Sequence, residues 1–356
     1  MKSLNPIKLA FTFAGLYLGA GYVSGQELYQ FFGNFGPMAY AGLCLTMFLI
    51  FIFGYMIIRV AQISGIKEMD KIIVFQDLPK IRGLVGIIQT IFIFGIVIIM
   101  CAGTGALLNQ TLGIPTYIGS GCFAILLVIL ACRGIKGLVS ILSTMVPILI
   151  AVTVIICIIA LLKNGLSNLT FPEMENTNPL LNNWLLASII YVTYSLFCEI
   201  GILTPLAHLI DNKKATVIGV ALGSFFLLCL AGSIIMAMAI YPNSINSELP
   251  MLAVSTEINT IISYVYAVLL FLCMLSASLS STIAIVNYGT HKFGLSDRKK
   301  PLVIIILVII AWLFSLFGFG DLIGVIYPIC GYFGIVALIL VTIHFFKLKL
   351  HRNKIK

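Results

Sequence analysis

The chain alternates long apolar stretches with short polar segments from one end to the other. A helix of about 20 apolar residues is long enough to cross the hydrocarbon core of a bilayer. The pattern therefore predicts an all-α membrane protein with ten membrane-spanning helices, which we number as spans 1 to 10. The spans cover residues 6–32, 37–60, 83–108, 115–132, 138–162, 184–209, 215–240, 258–288, 301–317 and 321–346. The polar segments between them are too short to form a soluble domain.

The ten spans separate into two groups of five. Residues 1–162 are predicted to form a first five-helix repeat and residues 184–346 a second, joined by an extracellular linker at 163–183. Because five crossings is an odd number, the second group enters the membrane from the opposite side. Such a 5+5 inverted repeat is found in many secondary transporters. A basic cytoplasmic tail at 347–356 follows the last span.

Basic residues fall almost entirely on one side of the predicted bundle. Of the 21 Lys and Arg residues, 20 lie in segments that one orientation places in the cytoplasm, and Lys163 is the exception. Positive residues are retained on the cytoplasmic side during insertion. The pattern thus predicts a multi-pass protein of the cell membrane with both termini in the cytoplasm. Topology and contact with anionic lipid then explain the net charge of +9 without a nucleic-acid partner.

The composition also argues against an enzyme. Hydrophobic residues make up 61% of the chain and charged residues 9%, and we find no nucleophile–base pair, metal cluster or phosphate-binding loop in the spans. The nine cysteines are scattered singly, without a CxxC pair, which indicates neither a zinc site nor a disulfide framework. We therefore expect no enzymatic activity and no organic cofactor. A channel is disfavoured as well, because no repeated filter-like motif is present.

Spans 1 and 6 carry interruptions at matching depth. Span 1 contains Gly15, Gly19, Gly21 and Gly25, and glycine lets the backbone leave helical angles. In span 6, residues 191–201 crowd β-branched, aromatic and hydroxyl side chains around an intramembrane carboxylate. The alternative is that the small residues only allow close helix packing. We predict that helices 1 and 6 are both discontinuous, and broken helices at this depth face protein or a wet cavity.

Span 8 offers a set of oxygen ligands. Ala277, Ser280 and Ser281 are related as i, i+3 and i+4, which places them on one face of a helix. Two hydroxyls and the Ala277 carbonyl would supply three hard oxygen ligands for a small alkali cation. The alternative is that the hydroxyls bond to carbonyls of their own helix.

Glu27 and Glu199 are the acids that lie well inside the predicted spans. Ionisable residues at such depth are costly and usually functional. Since the basic residues lie at the membrane boundaries, each Glu must be protonated, hydrogen-bonded by hydroxyls, or matched by a transported cation. We predict a role at the central site for Glu199 and favour a structural role for Glu27.

The outward segment 241–257 contains an apolar patch at Met251–Val254. We predict that this patch folds back on the bundle as an extracellular lid. The aromatic residues near the two predicted breaks are either gates that close the cavity or packing residues. They are Tyr17, Tyr22, Tyr191, Tyr194 and Phe197.

Three stretches resemble a known fold. Residues 15–21, Gly-Leu-Tyr-Leu-Gly-Ala-Gly, and residues 279–285, Leu-Ser-Ser-Thr-Ile-Ala-Ile, are similar to the first and eighth helices of the LeuT-fold superfamily. Residues 193–196, Thr-Tyr-Ser-Leu, resemble the unwound substrate-binding stretch of that fold. The run from Phe13 to Glu27 also resembles the YkvI-type amino-acid permeases of the amino acid–polyamine–organocation superfamily.

The resemblance implies two sites. It implies a sodium ion held by the carbonyls of Gly15, Leu18 and Ala277 and by the hydroxyls of Ser280 and Ser281. It also implies a small-molecule substrate bound between the two breaks. The substrate-binding residues would be Ala20, Gly21, Tyr22, Thr193, Tyr194 and Ser195, with Phe197 and Glu199 as departures from the small residues of the fold.

Together these observations predict a sodium-coupled symporter of a small amino-acid-like solute that works by alternating access, with Na⁺ as the coupling ion. One alternative is a proton-coupled carrier of an amino acid, amine or other small solute that uses Glu199 or Glu27. Another is a membrane receptor of the same fold that binds without transport.

Overall fold

A computed structural model of the chain describes residues 5–66, 69–76, 78–133, 145–165, 178–210 and 212–354. Within these ranges the chain forms fourteen α-helices joined by short turns. They are α1 (Pro6–Tyr17), α2 (Ala20–Val23), α3 (Gln26–Phe31), α4 (Met38–Ser64), α5 (Met69–Ile73), α6 (Pro79–Leu112), α7 (Thr116–Arg133), α8 (Met145–Asn164), α9 (Trp184–Leu206), α10 (Lys213–Ile240), α11 (Pro250–Ile258), α12 (Thr260–Phe293), α13 (Lys300–Ser315) and α14 (Phe319–Lys354).

Seven of the described helices are long and apolar enough to cross a membrane: α4, α6, α7, α9, α10, α12 and α14. The chain is therefore a membrane protein built from helices, as the apolar pattern predicts. Spans 1 and 9 correspond to shorter helices, and Ile148–Asn164 of span 5 is also a shorter apolar helix. Residues 138–144 of span 5, and 166–177 of the predicted linker, lie outside the described residues. Helix α14 continues past the predicted end of span 10 and into the basic tail as far as Lys354.

The first predicted span is broken, as its glycines indicate. Helix α1 ends at Tyr17, and α2 begins at Ala20 after two residues that are not helical. A second interruption follows at Gly25, which has a φ of 84°. This left-handed conformation favours glycine because it has no Cβ, and an added Cβ would lie 2.5 Å from the Met238 sulfur. The prediction of a discontinuous first helix is confirmed.

The sixth predicted span is not broken, and the prediction of a discontinuous helix 6 is wrong. Helix α9 is continuous from Trp184 to Leu206, with Pro205 only in its last turn. The hydroxyl of Thr193 lies 3.0 Å from the Ile190 carbonyl, and that of Ser195 donates to the Tyr191 carbonyl over 2.7 Å. These bonds fit inside an intact helix. β-Branched residues lower helix propensity only slightly. The requirement that every backbone group in a membrane be hydrogen-bonded therefore outweighs this effect and keeps the helix continuous.

Helix α14 packs closely against α9. The Thr193 hydroxyl donates to the Gly331 carbonyl over 2.7 Å. An added Cβ at Gly331 would lie 2.6 Å from the Ile190 carbonyl oxygen, and one at Gly334 would lie 2.4 Å from that of Thr193. Small residues let membrane helices approach to this distance. The two glycines therefore fix the contact between these helices.

Segment 241–257 folds back onto the bundle as predicted, and its extracellular location remains a prediction. Met251, Leu252 and Val254 of α11 are fully buried. The Met251 N–H donates to the Ser24 carbonyl over 2.8 Å, beside the break in the first span. A short 3-10 helix, Pro242–Asn246, precedes α11. We call residues 242–258 the outer lid.

Candidate functional site

A cavity of about 810 Å³ lies among α5, α6, α9 and α12, and we call it the inner cavity. Its wall combines polar and apolar side chains. The lining residues are Met69, Asp70, Arg82, Gly86, Gln89, Ile93, Ile96, Cys198, Glu199, Gly201, Ile202, Ser280, Ser281, Ala284, Tyr288 and Lys292. The cavity thus brings together Glu199 and the two serines that the sequence assigns to a sodium site.

The inner cavity extends toward the basic side of the bundle. Arg82 and Lys292 line it, and both belong to segments that the charge pattern predicts to be cytoplasmic. Lys292 is exposed, so the cavity reaches the surface there. The Arg82 guanidinium donates to the carbonyls of Val74 and Gln76, over 3.2 and 2.9 Å. Arg82 therefore holds the segment after α5 beside the cavity mouth.

Glu199 presents a polar group without a protein partner to this cavity. Its Oε2 atom is buried and accepts no hydrogen bond from the described residues. The hydroxyl of Tyr17, at the end of α1, is likewise buried without a partner among them. Since buried polar groups are nearly always paired, each of these two groups is suited to bind a solute or an ion.

The break after α1 faces α12. The Leu18 carbonyl lies 3.7 Å from the Cys273 sulfur, one turn before Ala277. A Cβ added at Gly15 would meet no atom within 4 Å, so this residue borders open space. The Ser280 hydroxyl donates to the Ser276 carbonyl of its own helix, as the alternative reading of span 8 expects. Sodium coordination by Gly15, Leu18, Ala277, Ser280 and Ser281 remains a prediction.

Glu27 lies apart from the inner cavity in a buried hydroxyl environment. Its Oε1 atom accepts a hydrogen bond from Tyr191 over 2.7 Å and another from Tyr194. A Cβ at Gly21 would lie 2.7 Å from Glu27 Oε2, so the carboxylate rests against the backbone of α2. The structure therefore brings Gly21, Glu27 and Tyr194 together.

Aromatic rings surround this carboxylate. Tyr194 is stacked on Tyr327 with 4.7 Å between ring centroids, and it lies 5.1 Å from Tyr191 and 5.5 Å from Phe31. We call Phe31, Tyr191, Tyr194 and Tyr327 the aromatic cluster. All four residues are buried. The cluster lies beside the segment that the outer lid covers, because α3 follows Ser24, whose carbonyl accepts the hydrogen bond from Met251.

The other predicted substrate residues are engaged within the protein in this conformation. Ala20 is fully buried, and the Tyr22 hydroxyl donates to the Leu227 carbonyl over 2.6 Å. Thr193 and Ser195 make the hydrogen bonds described above. The Phe197 ring lies 6.2 Å from that of Phe92. Among the predicted substrate residues, Glu199 lines the inner cavity.

Sequence reasoning missed several residues at these sites. Gln89 lines the inner cavity and donates to the Phe197 carbonyl over 3.3 Å. The sequence feature that could have identified Gln89 is a single amide side chain within an apolar span. Asp70 and Tyr288 also line the cavity, and Tyr327 completes the aromatic cluster. No local pattern marks these three, because their partners are remote in sequence.

Two proteins of Bacillus subtilis (strain 168) are similar to the chain over most of their length. The uncharacterized membrane protein YkvI is 24% identical over 331 residues, which cover 91% of this chain and 92% of YkvI. The uncharacterized protein YyaD is 26% identical over 350 residues, covering 93% and 94% respectively. No family model matches the chain.

Solved structures identify the fold. The inward-facing conformation of Mhp1 superposes with a TM-score of 0.61 at 12% identity, covering 96% of this chain and 76% of Mhp1. The structure of MhsT in complex with L-phenylalanine superposes with a TM-score of 0.58 at 15% identity, covering 98% of this chain and 99% of MhsT. A Na⁺-coupled sialic acid symporter superposes with a TM-score of 0.55 at 16% identity, covering 88% of this chain and 73% of the symporter.

The chain is thus an all-helical membrane protein with the LeuT fold. Among the solved structures that share this fold are a manganese transporter of Eremococcus coleocola and a Na⁺-coupled sialic acid symporter, which agrees with the prediction that the chain is not an enzyme.

Proposed function

We propose that the protein is a secondary active transporter of the cell membrane that couples sodium to the movement of a small amino-acid-like solute. One observation carries the proposal. The inner cavity holds Glu199, Ser280 and Ser281 and reaches the basic side, while the buried aromatic cluster and the outer lid, which is bonded to Ser24, would close the opposite side. A site that opens to one side only is what alternating access requires.

The proposed architecture is that of ten spans arranged as two inverted repeats, residues 1–162 and 184–346. The linker 163–183 would be extracellular, and both termini, including the tail 347–356, cytoplasmic. The structural similarity to MhsT, which covers 98% of this chain and 99% of MhsT, supports this arrangement. In this orientation the described conformation faces inward.

Sodium coupling is supported by the position of the broken helix. The break after α1 places the Leu18 carbonyl beside α12, and Ser280 and Ser281 line the cavity on the same helix. Carbonyl and hydroxyl oxygens near an unwound helix coordinate Na⁺ in other secondary transporters. The sialic acid symporter that shares the fold is Na⁺-coupled, and MhsT was solved with L-phenylalanine. MhsT supports an amino-acid-like solute, whereas a manganese transporter of Eremococcus coleocola also shares the fold, with a TM-score of 0.57.

We expect Ser281→Ala to remove the stabilisation of the purified protein by sodium. Wild type should melt at a higher temperature in sodium than in a large organic cation, because a ligand that binds only the folded state stabilises it. Thermal unfolding in detergent measures this difference.

Ser278→Ala is the matched control. Ser278 lies on the same helix, is fully buried, and has a hydroxyl without a partner among the described residues, but it does not line the cavity. The control should keep the response to sodium. Equal melting of wild type in both cations would contradict the sodium site.

A proton-coupled carrier is the second candidate, and the two intramembrane acids favour it. Glu199 lines the cavity with an oxygen that lacks a protein partner, and Glu27 is bonded to two tyrosines. Uptake into proteoliposomes separates the candidates. A sodium symporter requires an imposed sodium gradient, whereas a proton-coupled carrier works in sodium-free buffer with an imposed pH gradient. Solute binding without uptake under either gradient would indicate a receptor.

A further inference from the structure

We infer that Cys198 and Cys330 form a binding site for a soft, thiophilic metal ion in the wall of the inner cavity. Cys198 belongs to α9 and lines the cavity, next to Glu199 in sequence. Cys330 belongs to α14 and is 1% exposed. Their sulfur atoms lie 3.7 Å apart. Neither cysteine is one of the proposed sodium or substrate residues, although Cys198 lines the same cavity as Glu199.

The spacing of the two sulfurs suits one metal ion. With metal–sulfur bonds of about 2.3 Å and tetrahedral angles, two sulfurs bound to the same ion lie about 3.8 Å apart. The observed 3.7 Å is close to the separation that two sulfurs bound to one ion require. Thiolate ligands select soft and borderline ions such as Cu⁺, Zn²⁺ and Cd²⁺ over Na⁺, Mg²⁺ or Ca²⁺.

The backbone next to the thiols is held in place. Gly331 follows Cys330 directly, and its carbonyl accepts the hydrogen bond from the Thr193 hydroxyl over 2.7 Å. There is no room for a side chain between Gly331 and Ile190. Since α14 is held against α9 at the residue after Cys330, the position of Cys330 relative to α9 is restricted, which lowers the cost of binding an ion.

The inner cavity supplies the rest of the site. Within the described residues, no group of three or more His, Cys, Asp and Glu side chains could hold a metal. The remaining coordination positions of the ion would therefore be filled by water or by a solute from the cavity. Binding replaces two thiol protons by one divalent cation, and both protons pass to water in the cavity. No oxidant or reductant takes part, because the sulfur keeps its oxidation state.

Cadmium titration of the purified full-length protein tests the site. We expect wild type to bind one Cd²⁺ with the ultraviolet charge-transfer absorption of cadmium thiolate. Cys198→Ser and Cys330→Ser should each weaken binding at least about 100-fold, because even the loss of an outer-shell partner weakens metal binding 10–100-fold. Cys157→Ser is the control, since Cys157 is buried and has no other thiol in contact among the described residues. Equal weakening in all three variants, or in none, would overturn the inference.

A second measurement uses the unmodified protein. We expect Cd²⁺ to slow the alkylation of Cys198 by a small maleimide, detected by peptide mass spectrometry, and we expect Mg²⁺ to have no effect. Cadmium binding without protection of Cys198 would place the metal elsewhere. Neither measurement depends on sodium or on transport, so the metal site and the proposed function fail separately.

Discussion

Glu199→Gln is expected to reduce solute uptake by about 100-fold or more while the protein remains folded. Glu199 is the intramembrane acid of the inner cavity, and its Oε2 atom has no partner among the described residues. A cationic group or coupling ion bound there would lose its counter-charge in the variant. Removing one member of a buried charge pair costs about 3–5 kcal/mol, which exceeds a factor of about 100 in binding. Uptake into proteoliposomes, beside a thermal melt of the same sample, measures both effects.

Glu257→Gln provides the control for this experiment. Glu257 is an exposed acid of the outer lid and does not line the inner cavity. Its replacement removes the same charge and should leave uptake near the wild-type rate. If Glu199→Gln transported at the wild-type rate, Glu199 would be a structural residue. If Glu199→Gln failed to fold, Glu199→Asp would be measured instead, because it keeps the carboxylate on a side chain that is one methylene shorter.

Gly334→Ala is expected to lower the free energy of unfolding by about 2–3 kcal/mol. The added Cβ would lie 2.4 Å from the Thr193 carbonyl oxygen and 2.7 Å from its carbon. These are backbone atoms of a continuous helix, so α14 must move away from α9. Overpacking of this kind costs about 1–3 kcal/mol. Denaturant or thermal unfolding of the purified protein gives the difference.

Gly232→Ala is the matched substitution on another membrane helix. A Cβ at Gly232 meets no atom within 4 Å. Because alanine favours the helix over glycine by about 1 kcal/mol, this variant should be as stable as wild type or slightly more stable. Unchanged stability of Gly334→Ala would mean that α9 and α14 do not rely on this close approach.

Much of the fold follows from features that the sequence displays directly. Apolar length marks the membrane helices, and the glycines of span 1 mark its breaks at Gly19 and Gly25. The burial of Met251–Val254 follows from an apolar patch in a polar segment. In each of these cases the cause is local, so a local pattern is sufficient.

The interruption predicted in span 6 shows where this reasoning fails. Hydroxyl and β-branched residues near Thr193 lower helix propensity, but the same hydroxyls bond within the helix or to α14. Which partner a hydroxyl takes depends on a helix more than a hundred residues away. The residues alone therefore could not distinguish a break from a packing contact.

In the candidate site, too, some residues could be predicted from local sequence and others could not. Glu199, Ser280 and Ser281 were predicted from chemistry and helical spacing, and the inner cavity brings them together. Tyr327 and the Cys198–Cys330 pair were not predicted, because their contacts join α9 to α14. The Glu27–Tyr194 contact likewise joins residues 167 positions apart.

The outer lid has a consequence for the discovery of inhibitors. Glu248, just before α11, accepts a hydrogen bond from the Gly320 N–H over 2.7 Å, and Met251 is bonded to Ser24. The lid is thereby attached both to the start of α14 and to the first span. A compound shaped for the 810 Å³ cavity would find its target from the face that carries Lys292. In the orientation that we propose, this face is cytoplasmic, so such a compound must first permeate the bilayer in intact cells, and an impermeant drug of equal affinity would be inert.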